Sequence, residues 1–284
     1  MNDQRVIQLV AVCTPGTLTD VSGEGYAESS APEIITTGDF DAVVVRVQDG
    51  LLTGDAGEKR LADVTWLTPR AAAHERIILR AMQRATVMPI GFGSVFSSEA
   101  RLSDALAQHT DEINRFLESA TDTVEWSIKA LADREKLIGL ARDDHDAQTP
   151  EPTTGAAYLD RKRHDIELKE HAEDLALETL DRFVDQIEHT VTDVTERERA
   201  TSEATGEPWL VAHLALLVHR ENTQAFNDAI DAAAPLLDPL SIDIEVSGPW
   251  PCYSFCPRLG AEDTNGIASD ADLEDHIDDD ARAA

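Results

Sequence analysis

Three nearly continuous apolar runs constrain the fold of this chain more than any other feature of its sequence. They lie at residues 5–13 (RVIQLVAVC), 40–47 (FDAVVVRV) and 208–220 (PWLVAHLALLVHR). Runs of this length that lack the alternation of a half-exposed strand are typical of strands buried on both faces. The first two runs therefore predict strands in the interior of a sheet, and the third predicts a further buried strand.

The residues that follow the second run, as far as residue 96, predict one helix and then a return to extended chain. A helix is expected to open at Thr68 and Pro69 and to run through RAAAHERIILRAMQRA, because proline is well tolerated in a first turn. The stretch 86–96 (TVMPIGFGSVF) then predicts extended chain. Together these elements predict an N-terminal α+β domain over residues 1–96.

The rest of the chain is also predicted to contain both helices and strands. Ser97 or Ser98 can cap a helix whose apolar residues recur at helical spacing, and 124–132 alternates as a half-buried strand does. Residues 143–155, with two prolines, predict a loop or hinge. One or two amphipathic helices are expected over 158–200. A helix over 222–233 and a last strand beginning at Ser241 complete the pattern.

These elements predict an α+β protein of two domains, each a small mixed sheet with helices. The second domain, residues 97–260, contains the long amphipathic helix, and its β-α-α-β-α-β order is compatible with a ferredoxin-like sheet. Residues 261–284 contain nine carboxylates and a single arginine. Such a composition predicts a disordered acidic tail.

The charge of the chain limits the classes of partner that it can bind. Fifty-five acidic residues against 24 basic ones give a formal net charge of −31. A field of this sign repels nucleic acid and anionic membranes. It also favours a salt-loving cell, because at molar salt the Debye length falls to about 3 Å and self-repulsion is screened. No signal peptide and no apolar stretch near the roughly 20 residues of a membrane span is recognisable, so we expect a cytoplasmic protein.

Residues with metal-ligand chemistry are present, but their spacing is weak. Cys252 and Cys256 form a C-x₃-C pair without a second ligand pair nearby, and Cys13 lies inside a predicted core strand. The clusters 143–146 (DDHD) and 274–280 (EDHIDDD) occur in segments that the composition predicts to be solvated. We therefore expect no metal and no cofactor, with a metal-dependent enzyme as an alternative.

Catalytic and nucleotide-binding signatures are also weak. His213 lies in the third apolar run, which indicates a core histidine, and no serine or cysteine is recognisable as its nucleophilic partner. GFGS at 91–94 lacks the third glycine of a dinucleotide-binding loop, and GDAGEKR at 54–60 does not have P-loop spacing. The residues thus favour a protein that is not an enzyme.

Two features remain as candidate binding surfaces. Arg76, Arg80 and Arg84 recur every four residues on one predicted helix, either as an internal salt-bridge network or as a stripe that binds an anion or a protein. The second is GPWPCYSFCP at 248–257, where proline must end the strand, bend it or place it at a sheet edge. Its aromatic side chains either close the core or form a docking surface for an apolar partner. These side chains are Trp250, Tyr253 and Phe255.

Several of these stretches together resemble one protein family. GPWPCYSF resembles the GPWPPYSF signature of the gas vesicle accessory proteins of the GvpF/GvpL family. The stretches 71–96, 124–130, 155–163 and 209–220 resemble further motifs of that family, in the same order. Gly91 replaces an arginine, and Cys252 a proline, of the family pattern. With the acidic composition and the length, the resemblance indicates a haloarchaeal member, more similar to the L than to the F proteins.

The resemblance implies a function without catalysis. Family members are needed to form gas vesicles, which are gas-filled cytoplasmic organelles that confer buoyancy and whose wall is built from a very hydrophobic structural subunit. The expected partners are that subunit and other accessory proteins, and the expected location is the cytoplasm, in association with the vesicle. A ligand-binding regulatory module on ferredoxin-like domains is the alternative, with a metal-dependent enzyme behind it.

Overall fold

The central strands of the protein form where the apolar runs predict them. A computed structural model describes residues 5–148, 157–197 and 208–257. The predicted acidic tail and residues 149–155 of the predicted loop lie outside the described residues, whereas residues 143–148 of that loop instead belong to a helix that ends at Gln148. The described chain forms two units, the first made of residues up to Thr123 together with 250–257, and the second of Val124–Pro249.

The first unit contains five strands and four helices. Its strands are β1 (Arg5–Cys13), β2 (Glu33–Thr37), β3 (Phe40–Gln48), β4 (Val87–Pro89) and β5 (Val95–Phe96). Its helices are α1 (Gly54–Leu61), α2 (Val64–Met82), α3 (Glu99–Gln108) and α4 (Thr110–Ser119). The sheet has the order β2-β3-β1-β4, and β5 pairs with β1 beside β4. The prediction that β1 and β3 are interior strands is therefore confirmed.

Every pairing described in this sheet is antiparallel, whereas we predicted a mixed sheet. The tight connection between β2 and β3 explains part of the difference. Thr37 pairs with Phe40, so only Gly38 and Asp39 lie between the strands, and Gly38 adopts a φ of +61° that such a turn requires. Two-residue turns join antiparallel neighbours, while parallel neighbours need a long crossover.

Helix α2 begins earlier than its proline suggests. Asp63 is the N-cap, and its carboxylate accepts hydrogen bonds from the N–H groups of Thr65 and Trp66 at 3.1 and 3.4 Å. The helix therefore starts at Val64, and Pro69 lies inside it rather than at its first turn. Ser98 caps α3 as predicted, by accepting a hydrogen bond from the N–H of Arg101 at 3.3 Å.

The second unit contains a four-stranded sheet with helices. Its strands are β6 (Thr123–Ala132), β7 (Asp193–Glu196), β8 (Trp209–His219) and β9 (Ile242–Trp250). Its helices are α5 (Arg134–Gln148), α6 (Ala157–Ile187) and α7 (Thr223–Ala233). The sheet order is β7-β8-β6-β9, so β9 lies at an edge, which is one of the three arrangements that its prolines allow. The strand continues through Pro249 to Trp250.

Two features of this division differ from the predictions. The predicted domain boundary lies between residues 96 and 97, whereas α3 and α4 belong to the first unit. The reason is that α3 contacts β2 and β5 and buries Leu102 and Leu106. The second difference is β7, which lies within the region predicted as one or two helices. No helix among the described residues is both long and apolar enough to cross a membrane.

Candidate functional site

Residues 250–257, which we call the C-terminal segment, form the first part of the candidate site. The segment begins at the last residue of β9 and continues as a 3-10 turn over Tyr253–Phe255. Pro251 and Cys252 are buried, and the turn is held by a hydrogen bond from the N–H of Cys256 to the carbonyl of Tyr253 at 3.1 Å. A glycine precedes the segment because the backbone at Gly248 has a φ of +138°.

The C-terminal segment is attached to helix α2 and strand β4. The hydroxyl of Tyr253 donates a hydrogen bond to Oε2 of Glu75 at 2.6 Å. The thiol of Cys256 lies 3.7 Å from the carbonyl oxygen of Pro89. Residues more than 160 positions apart therefore meet in one unit. Sequence reasoning missed Glu75, because no local pattern marks an acidic helix residue as the acceptor for a distant tyrosine.

The three aromatic side chains of this segment are neither fully buried, as closing the core would require, nor fully exposed, as a docking surface alone would be. Trp250, Tyr253 and Phe255 are all half-buried. Each therefore contributes apolar area to the protein interior and also presents part of its surface to solvent. Half-buried aromatic side chains in a stiff segment suit partner contacts, since little rotamer freedom remains to be lost.

The arginines of α2 do not form one uniform stripe. Arg80 donates to the carbonyl of Glu24 at 3.1 Å, and Arg84 donates to the carbonyl of Asp20 at 3.2 Å. The Arg84 guanidinium also lies 3.5 Å from the Asp20 carboxylate. Both arginines thus fasten the long β1–β2 loop to the helix, as an internal network does.

Arg76 differs from its two neighbours on the helix. Its side chain is exposed and makes no hydrogen bond or ion pair with any residue in the described part of the chain. It occupies the solvent-facing side of α2, the helix whose Glu75 holds Tyr253. Arg76 therefore presents a positive charge to solvent in a chain whose net charge is −31.

A fourth arginine extends the fastening of the β1–β2 loop. Both nitrogens of one edge of the Arg70 guanidinium donate to the carboxylate of Glu28, with the Nε–Oε2 bond at 2.8 Å. The guanidinium also lies over the ring of Trp66, 4.1 Å from its centroid. Paired and stacked in this way, Arg70 has a structural role that its helical spacing alone did not predict.

His74 on α2 contacts the connection between β4 and β5, and both lie within the stretch 71–96. The Nε2–H of His74 donates to the carbonyl of Ile90 at 2.8 Å, and the imidazole ring meets Phe92 edge-on with centroids 5.5 Å apart. Phe92 in turn meets Tyr26 at 5.5 Å. The connection between β4 and β5 is thereby fixed on α2. Gly93, with a φ of +100°, completes this turn.

Burial determines the protonation of His74. Desolvation lowers the pKa of His74 to about 4, and the hydrogen bond to Ile90 only partly opposes that shift. The imidazole is therefore neutral near pH 7. Its Nδ1 has no hydrogen-bond partner among the described residues, nor does Nε2 of Gln8, whose Oε1 accepts from Tyr26 in the same core.

His213 has a serine neighbour that sequence reasoning did not find. Oγ of Ser127 on β6 and Nε2 of His213 on β8 lie 2.8 Å apart, and both side chains are buried. Only the adjacency of β6 and β8 in the sheet brings them together. The hydrogen bond satisfies two polar groups in the interior, which agrees with the prediction of a core histidine.

The cysteines and acidic clusters can be located only in part. Cys13 and Cys252 are buried, Cys256 is half-buried, and all three are free thiols. Burial raises the pKa of the Cys13 thiol to about 11, so it remains protonated near pH 7. Among the described residues, no group of three or more His, Cys, Asp or Glu side chains could hold a metal ion. The 274–280 cluster lies outside those residues, as do the side chains of 143–146.

Comparison with proteins of known sequence identifies relatives that cover most of the chain. Gas vesicle protein L of Streptomyces sp. (strain CB03234) is 25% identical over 256 residues, which cover 90% of this chain and 94% of that protein. Gas vesicle protein L1 of Halobacterium salinarum (strain ATCC 700922 / JCM 11081 / NRC-1) is 23% identical over 199 residues. That alignment covers 66% of this chain and 70% of the relative.

Solved structures share the fold. The gas vesicle protein GvpF from Anabaena sp. PCC7120 superposes with a TM-score of 0.68 at 14% identity, over 89% of this chain and 96% of that one. GvpF from Microcystis aeruginosa gives a TM-score of 0.65 at 16% identity, over 89% and 99%. The family described as "Gas vesicle synthesis protein GvpL/GvpF" matches residues 9–257. Since this match includes both sheets and the C-terminal segment, the protein belongs to the GvpL/GvpF family of gas vesicle synthesis proteins.

Proposed function

We propose that this protein is a non-enzymatic assembly factor that binds the hydrophobic structural subunit of the gas vesicle wall, together with other accessory proteins. Membership of the GvpL/GvpF family supports a role in gas vesicle assembly. The proposed contact is the docking surface formed by Trp250, Tyr253 and Phe255 of the C-terminal segment and by Arg76 on α2.

The hydrogen bond between Tyr253 and Glu75 is the observation that carries this proposal. It fastens a stiff aromatic segment to a helix, while all three aromatic side chains stay half-buried. A surface held in one conformation loses less entropy on binding than a mobile segment does. Its apolar area suits contact with a hydrophobic subunit.

The net charge of the protein provides the solubility that an apolar docking surface lacks. A subunit that is very hydrophobic aggregates in water unless something covers its apolar surface. Charged side chains are strongly hydrated, so a carrier with a net charge of −31 supplies the solubility that such a complex needs. Arg80 and Arg84 are engaged with the β1–β2 loop, so their contribution to binding is indirect, through the shape of α2. Arg76 is the arginine of this trio that is placed to meet a partner carboxylate.

Co-precipitation of the tagged protein with the structural subunit tests the proposal. Trp250→Ala/Phe255→Ala is compared with wild type at molar salt, with Trp66→Ala as a control that removes a half-buried aromatic residue elsewhere in the first unit. We expect wild type and the control to retain the subunit and the double variant to lose it while melting cooperatively. Equal retention by wild type and the folded double variant would refute the proposed surface. Failure of wild type to retain the subunit would refute the function itself.

Four further assignments are supported by composition and topology. The length of 284 residues and the relatives named L support an L-type protein. The acidity supports a salt-loving, haloarchaeal source and a cytoplasmic location in association with the vesicle. The order β-α-α-β-β-α-β, with strand order β7-β8-β6-β9, supports a ferredoxin-like second domain that has one additional helix between its first two strands. The composition of 261–284 supports a disordered tail.

A further inference from the structure

A cleft in the first unit, which we call the α3 cleft, has no role in the site described above. It encloses about 460 Å³ where α3 faces the β3–α1 turn and the start of β1. This volume falls within the range typical of ligand-binding clefts, about 300–1,000 Å³. The cleft lies wholly within one unit, so its shape depends only on elements that pack together there.

The floor of the α3 cleft is apolar. Val6 of β1 and Phe96 of β5 line the cleft and are only 7% and 8% exposed, so we call them its floor. Val95 and Ala105 extend this floor and are half-buried. An apolar floor of this kind accommodates a bulky aliphatic or aromatic side chain and gains free energy as the side chain leaves water.

The rim of the cleft is polar and carries both signs of charge. Arg101, Asp104 and Gln108 are spaced on one face of α3, and Asp49 lies opposite them on the β3–α1 turn. Within the described residues, none of these four side chains makes a hydrogen bond or an ion pair with another residue. Other arginines of the same unit, Arg46 for example, are paired with carboxylates.

We propose that the α3 cleft binds a peptide segment of a partner protein in which a bulky apolar side chain is flanked by lysine or arginine. The apolar side chain fills the floor above Phe96. The flanking cations pair with Asp49 and Asp104, and Arg101 and Gln108 remain to hydrogen-bond the peptide carbonyls.

Charge decides between this partner and the alternatives. Two carboxylates and one guanidinium give the rim a net charge of −1, and the whole chain carries −31. A second copy of this chain would bring another strongly negative surface to a negative rim. An acidic peptide would meet the same repulsion, so a basic segment fits the cleft best. The inference does not depend on which surface binds the structural subunit.

Fluorescence anisotropy with synthetic peptides tests this proposal on the full-length protein. The probes are three labelled peptides that differ only in a central tripeptide: Lys-Phe-Lys, Lys-Ser-Lys and Glu-Phe-Glu. We expect wild type to bind the first at least about fivefold more tightly than either of the others, because both the floor and the rim contribute. Equal binding of Lys-Phe-Lys and Lys-Ser-Lys would overturn the proposal, since only the long-range charge would then be sensed.

Matched variants locate the binding. Asp49→Asn/Asp104→Asn is expected to weaken Lys-Phe-Lys binding at least about fivefold. The control Asp39→Asn/Glu118→Gln removes the same charge from exposed positions elsewhere in the first unit and is expected to bind like wild type. Asp49→Lys/Asp104→Lys should reverse the preference toward Glu-Phe-Glu. An equal loss of affinity in the control variant, or an unchanged peptide preference in the lysine variant, would overturn the proposal. A wild-type dimer that dissociates in the lysine variant would also overturn it, because the occupant of the cleft would then be a second copy of the chain.

Discussion

The Tyr253 hydroxyl donates a 2.6 Å hydrogen bond to the Glu75 carboxylate across 178 positions of sequence. Hydrogen bonds to charged groups contribute about 1.5–3 kcal/mol, roughly twice the contribution of neutral ones. This hydrogen bond links the C-terminal segment to the half-buried Glu75 of α2. It therefore supports the stability of the first unit and also the geometry of the proposed docking surface.

Tyr253→Phe is expected to lower the free energy of unfolding by about 1–3 kcal/mol, because it removes the donor and keeps the ring. Denaturant unfolding measures the effect. A double-mutant cycle with Glu75→Gln isolates the pair, and we expect a coupling energy of about 1 kcal/mol or more. Additive effects of the two substitutions would show that the bond does not stabilise the fold.

Gly248→Ala is expected to destabilise the protein by about 2 kcal/mol. A Cβ at this position would lie 3.0 Å from the carbonyl oxygen of Glu125 and 3.1 Å from the ring of Trp126, on a backbone with a φ of +138°. Gly139→Ala is the matched control: it lies in helix α5 with no atom within 4 Å of the added Cβ. We expect the control to stabilise by about 0.5–1 kcal/mol, as alanine does in a helix. Thermal melts of both variants distinguish the two cases, and equal melting temperatures would contradict the prediction.

Arg80→Ala/Arg84→Ala is expected to loosen the β1–β2 loop without unfolding the sheet. Both guanidinium groups donate to loop carbonyls, at Glu24 and Asp20, so their removal frees that part of the loop. Hydrogen exchange followed by mass spectrometry should show faster exchange across 18–28. Arg76→Ala makes the same chemical change at an exposed position without a partner in the described chain, and its loop should exchange like that of wild type. Unchanged exchange in the double variant would rule out the fastening role.

Stability is expected to fall as pH decreases from about 6.5 toward 4, partly because of His74. The folded-state pKa of about 4 lies below the ordinary histidine pKa of 6.5, so the unfolded chain binds this proton first. The difference of about 2.5 pH units corresponds to about 3 kcal/mol, present above pH 6.5 and lost progressively down to pH 4. His74→Gln should flatten this part of the stability profile, whereas His189→Gln, at an exposed position, should leave it unchanged. A profile of the same slope in His74→Gln and wild type would contradict the assignment.

Local pattern was sufficient to predict most of the strands. β1 and β3 appear as runs of mostly buried apolar residues, and these runs end where exposed polar residues begin, at Thr14 and Gln48. α2 begins at Val64 and not at the predicted Thr68, because the carboxylate of Asp63 caps the helix and Pro69 lies inside it. The short edge strand β7 has only four residues, too few for its alternation to be distinguished from the end of a helix.

The sequence indicates which residues form the stiff C-terminal segment, but not which residues surround that segment. The prolines and aromatic residues of 248–257 indicate a stiff segment at a sheet edge, and β9 does lie at an edge. That Tyr253 would meet Glu75, or that Ser127 would meet His213, depends on which strands and helices become neighbours. Such neighbours are set by the packing of the whole fold, about which the spacing of residues along the chain contains no information.

The first unit is interrupted in sequence, and this has a consequence for when it can form. Synthesis proceeds from the N-terminus, so α2 leaves the ribosome long before residues 250–257 are made. Glu75 receives the hydrogen bond of Tyr253 only after Val124–Pro249 have been translated. A nascent or prematurely ended chain therefore has no aromatic docking surface. If that surface binds the wall subunit, only molecules translated through this segment can capture it, and unfinished copies are kept out of vesicle construction.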